Sequence, residues 1–540
     1  MGRTKYWDGA NWVEIAPSAG EFDAHQADYT QFKNNVEQIR INGKEKLEYL
    51  YNGAWYQIKG DGYPVGAVSN FEAKSDNMQA ILTWIDPDDV TIEDSNGNVI
   101  TIARWKGTKI LRKTGSYPAN ENDGVLVVDN GIRNQYQTNG FVDTGLTNET
   151  TYYYSAFPYT TEDIFDTKTD VSVVPTEQRI YGVRIDKNNS NPETRVSYIG
   201  DSLGFTPMNG NNGAFQWGSW QQPFQDLEIN PVVLQNRVVA YYLNPDDYNL
   251  KEDGSASDLT GTDGDVMIEF GKPIWYKWTD EGATFTVEIS DKVFDGAVKH
   301  AFEIEEGYNL MPYYPLLLTQ ILFVIFFKST DSQTALGRGR VDGAGYISAG
   351  NTNSKGMFCG SNVDEQMKFL GMEDYWGNKF WWVDGLVTDA SYNLLLGKGG
   401  FNDNGSGYTS YPSGVSANTY GYIDTVQGGN DKGFIISSGN GSESTYYADY
   451  GYLYSSRVAS FGGSYSIGSD AGFAALRLAS AASSAYAYFG ARLFCASNGK
   501  IYIGAYLGTT TGGKLRSISG TMPSDSKTIG AFRNEAKANN

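Results

Sequence analysis

The sequence predicts a mostly β, multidomain protein, and three observations carry that expectation. Aromatic residues make up 14% of the 540 residues, with 38 Tyr, against 19% charged residues, so the chain has ample apolar area to bury and is unlike a disordered one. Its 63 Gly cut it into short segments that read as strands joined by turns. Its length exceeds what a single core ordinarily serves, so several domains are expected.

The first element, residues 1–62, is read as two hairpins around a helix. "YWDGANWVEI" ends at Ile15 and "YLYNGAWYQI" ends at Ile58, and each sets a Gly after Asp or Asn between alternating aromatic flanks, a strong short hairpin signal. Between them Phe22, His25, Tyr29, Phe32, Val36 and Ile39 recur at alternating gaps of three and four, the a and d spacing of a short heptad helix. Such a helix is marginal alone. Packing against copies of itself predicts a parallel homo-oligomer, with a trimer favoured over a dimer; packing on the flanking hairpins predicts none. "MGRTKYWDGANWVEI" has no apolar core of signal-peptide length.

Residues 63–176 follow as strands: "AILTWIDPDD", "TKILRKTG" and "FVDTGLTNETTYYYSAFPYT". A Trp in an early strand, followed by Asp-x-Gly-Leu-x-x-x-Thr-x-Tyr, resembles a fibronectin type III domain. The resemblance implies that Trp84 fills the space between two sheets and that Leu146 and Tyr152 form a corner in which the tyrosine hydroxyl pins the loop before its strand. Such domains are most often spacers, and no chemistry is assigned to this one.

Several motifs invite a catalytic or metal reading. "YIGDSLGF" places Ser202 in Gly-Asp-Ser-Leu and in Gly-x-Ser-x-Gly, but a serine nucleophile needs a general base, and the chain has only His25 and His300. Ala297 stands three before His300, where an Asp-x-x-His block would need its acid, so Ser202 is read as part of a turn. Asp258, Asp263 and Asp265 make calcium conceivable, but their spacing fits a hairpin turn better than a calcium loop, so no metal is assigned. "GRGRVDGAG" from Gly337 lacks dinucleotide spacing, and Cys359 and Cys495 form no Cys-x-x-Cys, so no cofactor is expected. Adjacent Glu373 and Asp374, on one strand, should face opposite sides, poor geometry for glycoside cleavage. A net charge of -21 opposes binding to nucleic acid. "PLLLTQILFVIFF", Pro315 to Phe327, is shorter than the roughly 20 residues of a membrane span and is expected to lie buried in a core, without membrane insertion.

The third domain, 177–510, rests on two stretches. "FLGMEDYWGNKFWWVDGL" at 369–386 and "RVASFGGSYSIGSDAGFAALRLASAASSAYAYFGARLFC" at 457–495 resemble, in order and spacing, the C-type lectin-like α+β fold shared by formylglycine-generating enzymes and by phage tail and surface proteins diversified by retroelements. Trp376, Trp381 and Trp382 would supply apolar surface, with Gly377 and Asn378 turning the chain between them. The oxidases of that fold use two cysteines near its end, whereas here Cys495 stands alone. "IYGVRIDKNNSNPETRVSY", "DGDVMIEFGKPIWYKW" and "STDSQTALGRG" resemble text of phage tail proteins.

That resemblance implies a receptor-binding protein of a phage tail tip or fibre, located on the virion, not an enzyme. Its partners would be other tail proteins and a bacterial surface glycan or protein receptor. Ligand contact is expected from Tyr465, Ser466, Ser469, Asp470, Phe473, Ala475, Arg477, Ala479, Ser480, Ser483, Tyr486 and Tyr488, residue types that retroelement diversification produces and that low-complexity loops also contain. Leu476 and Leu478 should point inward and Arg477 outward. Residues 400–429 would add a second loop to the same end, and 511–540 are set apart as a C-terminal tail, a free end or a strand given to a neighbour. A structural tail subunit without receptor contact, and a cell-wall esterase or depolymerase, are the rival readings.

Overall fold

A computed structural model describes residues 64–540, apart from 94–98, 166–167 and 211–213, together with the backbone of six short strands between residues 5 and 59. Strand far outweighs helix, as the composition predicts, and the chain divides into two units, 1–178 and 179–540.

In the first unit both short hairpins form. Lys5–Trp7 pairs with Trp12–Glu14, and Leu47–Tyr51 pairs with Ala54–Lys59, Tyr51 standing opposite Ala54 across the two residues Asn52 and Gly53. The heptad helix needs correction at both ends. Phe22 lies in the strand Glu21–Asp23, parallel to Ala54–Lys59, and Ile39 lies in Gln38–Ile41, antiparallel to Leu47–Tyr51. His25, Tyr29, Phe32 and Val36 lie outside the described residues.

Residues 69–173 form a four-stranded and a three-stranded sheet, with Val90–Glu93 and Val99–Ala103 paired as a separate two-stranded one. Strand Gln79–Ile85 alternates half-buried and buried side chains, which puts Ala80, Leu82 and Trp84 into a core with Ile110, Tyr154 and Ala156. Trp84 is buried with its indole N–H donating to Asp86 Oδ1 at 2.8 Å. Leu146 is buried, and Tyr152 Oη accepts the backbone N–H of Thr147 at 3.0 Å, so the expected corner is present.

The second unit is built on the helix Tyr313–Phe327, whose 15 residues are all buried. A helix that is apolar on every side must be enclosed, and each Leu or Phe so removed from water stabilises the fold by roughly 1.5–3 kcal/mol. Thr319 and Gln320 find partners inside the fold: Thr319 Oγ1 bonds to Leu316 O and Tyr375 Oη, each at 2.7 Å, and Gln320 Nε2 donates to Phe473 O at 2.8 Å, while Gln320 Oε1 is buried without a partner. No helix among the described residues is long and apolar enough to cross a membrane.

Sheets of four, six and eight strands surround this helix. The tryptophan block enters the eight-stranded sheet as Phe380–Thr388, beside Val458–Phe461 and Phe489–Gly490. Gly377 and Asn378 both take left-handed backbone, φ 82° and 58°, and a Cβ on Gly377 would lie 2.8 Å from Arg340 O, so the turn requires glycine there. Arg492 ties the block to the strand after it: its guanidinium donates to Gly504 O, Glu373 O and Asp374 O at 2.7 to 3.0 Å and lies over the Trp381 ring. Burial lowers its pKa to about 10.

Residues 511–540 are no detached tail. Lys514–Arg516 closes a hairpin with Thr509–Thr511, and the helix Ile529–Lys537 buries Ile529, Phe532 and Ala536 in the core that holds Trp382. Arg533 adds two 2.7 Å bonds to the buried carboxylate of Asp384.

Candidate functional site

The eight-stranded sheet has two unlike faces, because side chains alternate along each strand. On one face Trp381, Phe461, Leu476, Leu478 and Leu453 join the core around the central helix. On the other, cross-strand partners run in a row: Trp382 opposite Ser460, Ser460 opposite Arg477, Arg477 opposite Tyr452, and Tyr452 opposite Tyr420. The Trp382 end of this row is covered, its indole donating to Lys527 O just before the terminal helix. The Tyr420 end is open, with that ring 55% exposed.

The open end is a sheet of tyrosine. Thr419–Tyr422 and Tyr450–Leu453 pair so that Tyr420 stacks on Tyr452 at 6.3 Å and Tyr422 meets Tyr450 edge to face at 5.2 Å, with Tyr454 beside both Tyr420 and Tyr452. Glycine lies between these tyrosines on each strand, and a Cβ on Gly421 would meet Gly439 O at 2.1 Å, so the back of the sheet has no room for a side chain there. Arg477 bridges onward, its guanidinium over Tyr452 at 4.3 Å and over Phe380 at 4.6 Å. Phe380 contacts Tyr488, and Tyr488 stacks nearly parallel on the exposed Tyr486 at 5.2 Å. At the other margin Tyr422 Oη lies 2.9 Å from Ser469 Oγ, which donates to Glu443. Burial raises the pKa of the neighbouring Asp470.

Five of the twelve expected contact residues, Ser469, Asp470, Arg477, Tyr486 and Tyr488, therefore meet at this face. Arg477 does point away from buried Leu476 and Leu478. Ser466 and Ser483 are exposed in their loops, Ala479 and Ser480 are half-buried, and Tyr465 packs near Tyr346 instead. Two expectations are corrected. Phe473 is wholly buried, stacked on Phe323 at 4.9 Å beside the central helix, and Ala475 is 1% exposed, so neither is available to a ligand. Tyr420 and Tyr422 belong to the segment 400–429 expected at this end but were not singled out, and Tyr450, Tyr452 and Tyr454 were missed, although "TYGY" and "YGYLY" carry a period of two that marks one sheet face.

The motifs tied to chemistry are engaged structurally. Ser202 is buried, its Oγ 2.7 Å from Gly182 O and 2.6 Å from Ile199 O while accepting Gly182 N–H, which makes it the pin of a turn. His300 lies against Glu303, Lys398 and Asp431. Asp258 caps its own turn through Thr260, Asp263 accepts Tyr241 Oη, and Asp265 pairs with Arg516; among the described residues no His, Cys, Asp or Glu cluster of metal-binding form occurs. The opposite-faces expectation for Glu373 and Asp374 is wrong. The strand stops at Glu373, Asp374 turns through φ 53°, and Gln366 Nε2 donates to both carboxylates. Both are buried, and burial beside Glu373 holds the Asp374 carboxyl far above the usual range.

Comparison of the chain with protein-family models, with curated proteins and with solved structures returns no match.

Proposed function

We propose that the second unit is the adhesive part of a phage tail protein and that it holds a bacterial surface ligand, glycan or protein, against the tyrosine face. The observation that carries this reading is the run of exposed and half-buried rings from Tyr420 through Tyr452 to Tyr488 and Tyr486, with the Arg477 guanidinium set among them. Tyr offers a large contact area at small entropic cost and Arg adds directional hydrogen bonds, the combination that dominates binding hot spots. A contiguous exposed aromatic patch marks a site of interaction.

The resemblance of the tryptophan block and of residues 457–495 to the lectin-like display fold supports the same role. One face of this size gives modest affinity, and several copies on a particle would multiply it by raising the effective concentration of the remaining sites. No bond is made or broken.

The test is adsorption of labelled full-length protein to a panel of intact Gram-positive and gut bacteria. Saturable binding to a subset of strains, reduced at least about tenfold by Tyr420→Ala combined with Tyr452→Ala, is expected. Release of sugar or acetate from purified walls, abolished by Ser202→Ala, would instead support an esterase.

A further inference from the structure

A separate cavity of about 220 Å3 in the second unit shares no residue with the tyrosine face. Its floor is Leu234, Asp265 and Tyr308, all buried. One wall is the tight turn between Ile229–Gln235 and Val238–Tyr242, where Asn236 and Arg237 both adopt left-handed backbone and Arg237 N donates to Tyr308 Oη at 3.3 Å. The facing wall brings Lys514 and Arg516 from the late hairpin and Asn539 from beyond the terminal helix, where its amide is held by Leu515 O at 2.9 Å. Five separate parts of the chain thus fix one small concavity.

Its charge runs against that of the molecule. Asp265 is already neutralised, accepting Arg516 Nε and Ser517 N at 2.8 Å each, while Arg516 is also anchored on Gly261 O at 3.0 Å. Lys514 is exposed at the rim. The lining therefore keeps one positive charge beyond its single carboxylate, in a chain whose net charge is -21. Between the charges the lining is amide and hydroxyl, from Gln235, Asn236, Thr262 and Asn539, groups that both donate to and accept from alcohols. The volume falls below the roughly 300–1,000 Å3 of pockets for drug-sized ligands, so one ring-sized unit fits.

We propose that this cavity binds a single carboxylate-bearing sugar residue, of the uronate kind, with its carboxylate against Lys514 and Arg516 and its hydroxyls on Gln235, Asn236 and Thr262. A phosphate monoester carries about -1.5 to -2 charge and overshoots the one surplus positive charge; a neutral sugar leaves it unused. The site is independent of the adhesive reading, and each stands or falls without the other.

Calorimetric titration of the full-length protein with sodium glucuronate and sodium galacturonate, with glucose and inorganic phosphate as comparison probes, tests it. Saturable binding of at least one uronate is expected, weakened about tenfold or more by Lys514→Ala, the size of one charge-assisted hydrogen bond, and weakened again when salt is raised from about 0.05 M to about 0.5 M. Tyr420→Ala should leave that binding unchanged. Thr262→Val is expected to weaken uronate binding without altering the melting temperature. Absence of saturable uronate binding, uronate binding indifferent to Lys514→Ala, or glucose or phosphate bound as tightly as the uronates would overturn the proposal.

Discussion

Tyr486 and Phe473 lie thirteen positions apart and make opposite demands on the fold. Tyr486 is 51% exposed, so Tyr486→Ala with Tyr488→Ala should lower cell binding while shifting the melting temperature little. Phe473 stacks on Phe323 and meets Phe434 edge to face, so Phe473→Ala should destabilise the second unit by about 3–5 kcal/mol through the cavity it leaves, read by denaturant unfolding. Asp449 supplies a pH test. It is buried, accepts Ala474 N–H at 2.7 Å, and burial holds its carboxyl well above the usual range. The folded protein therefore keeps this proton to higher pH than the unfolded chain does. Its ionisation opposes folding near neutrality, and the opposition fades as pH falls toward about 4. Asp449→Asn should accordingly give its most favourable change in melting temperature near pH 7 and lose it on acidification; a difference constant with pH would contradict this.

Elements were legible where the signal is local. Asn52-Gly53 between alternating flanks specifies a hairpin without help from the rest of the chain, and Trp84, Leu146 and Tyr152 stand at the positions assigned to them. Removing the corner bond with Tyr152→Phe should cost about 0.5–1.5 kcal/mol, measurable as a shift in the unfolding midpoint of the first unit. The heptad reading is corrected at its two ends because spacing alone does not exclude sheet pairing, and Phe22 and Ile39 joined strands whose partners lie elsewhere in the chain. The terminal helix was overlooked although Thr528 caps it and Ile529, Phe532, Arg533 and Ala536 mark one face at helical spacing. Glu373 and Asp374 were misjudged because strand alternation ends where the chain enters left-handed backbone, which sequence does not announce at an aspartate.

At the scale of the whole molecule, a strand-rich composition and an enclosed apolar helix follow directly from residue content, whereas the inclusion of 511–540 depends on long-range packing. The tyrosine face was only half visible for the same reason. Tyr486 and Arg477 stood out in a loop-rich stretch, but Tyr420 and Tyr452 become their neighbours only through the parallel pairing of Tyr450–Leu453 with Leu476–Ser480. If the second unit folds by itself, a fragment of residues 179–540 should melt in one cooperative transition at the temperature of its counterpart in the full chain. The adhesive role is tested most directly by measuring binding of full-length protein to the bacterial panel beside the Tyr420→Ala, Tyr452→Ala double variant, with melting temperatures taken in parallel. We expect native protein to adsorb saturably to some strains and the variant to lose that adsorption at an unchanged melting temperature. Equal adsorption by a correctly folded variant, or no adsorption by the native protein to any strain, would contradict it.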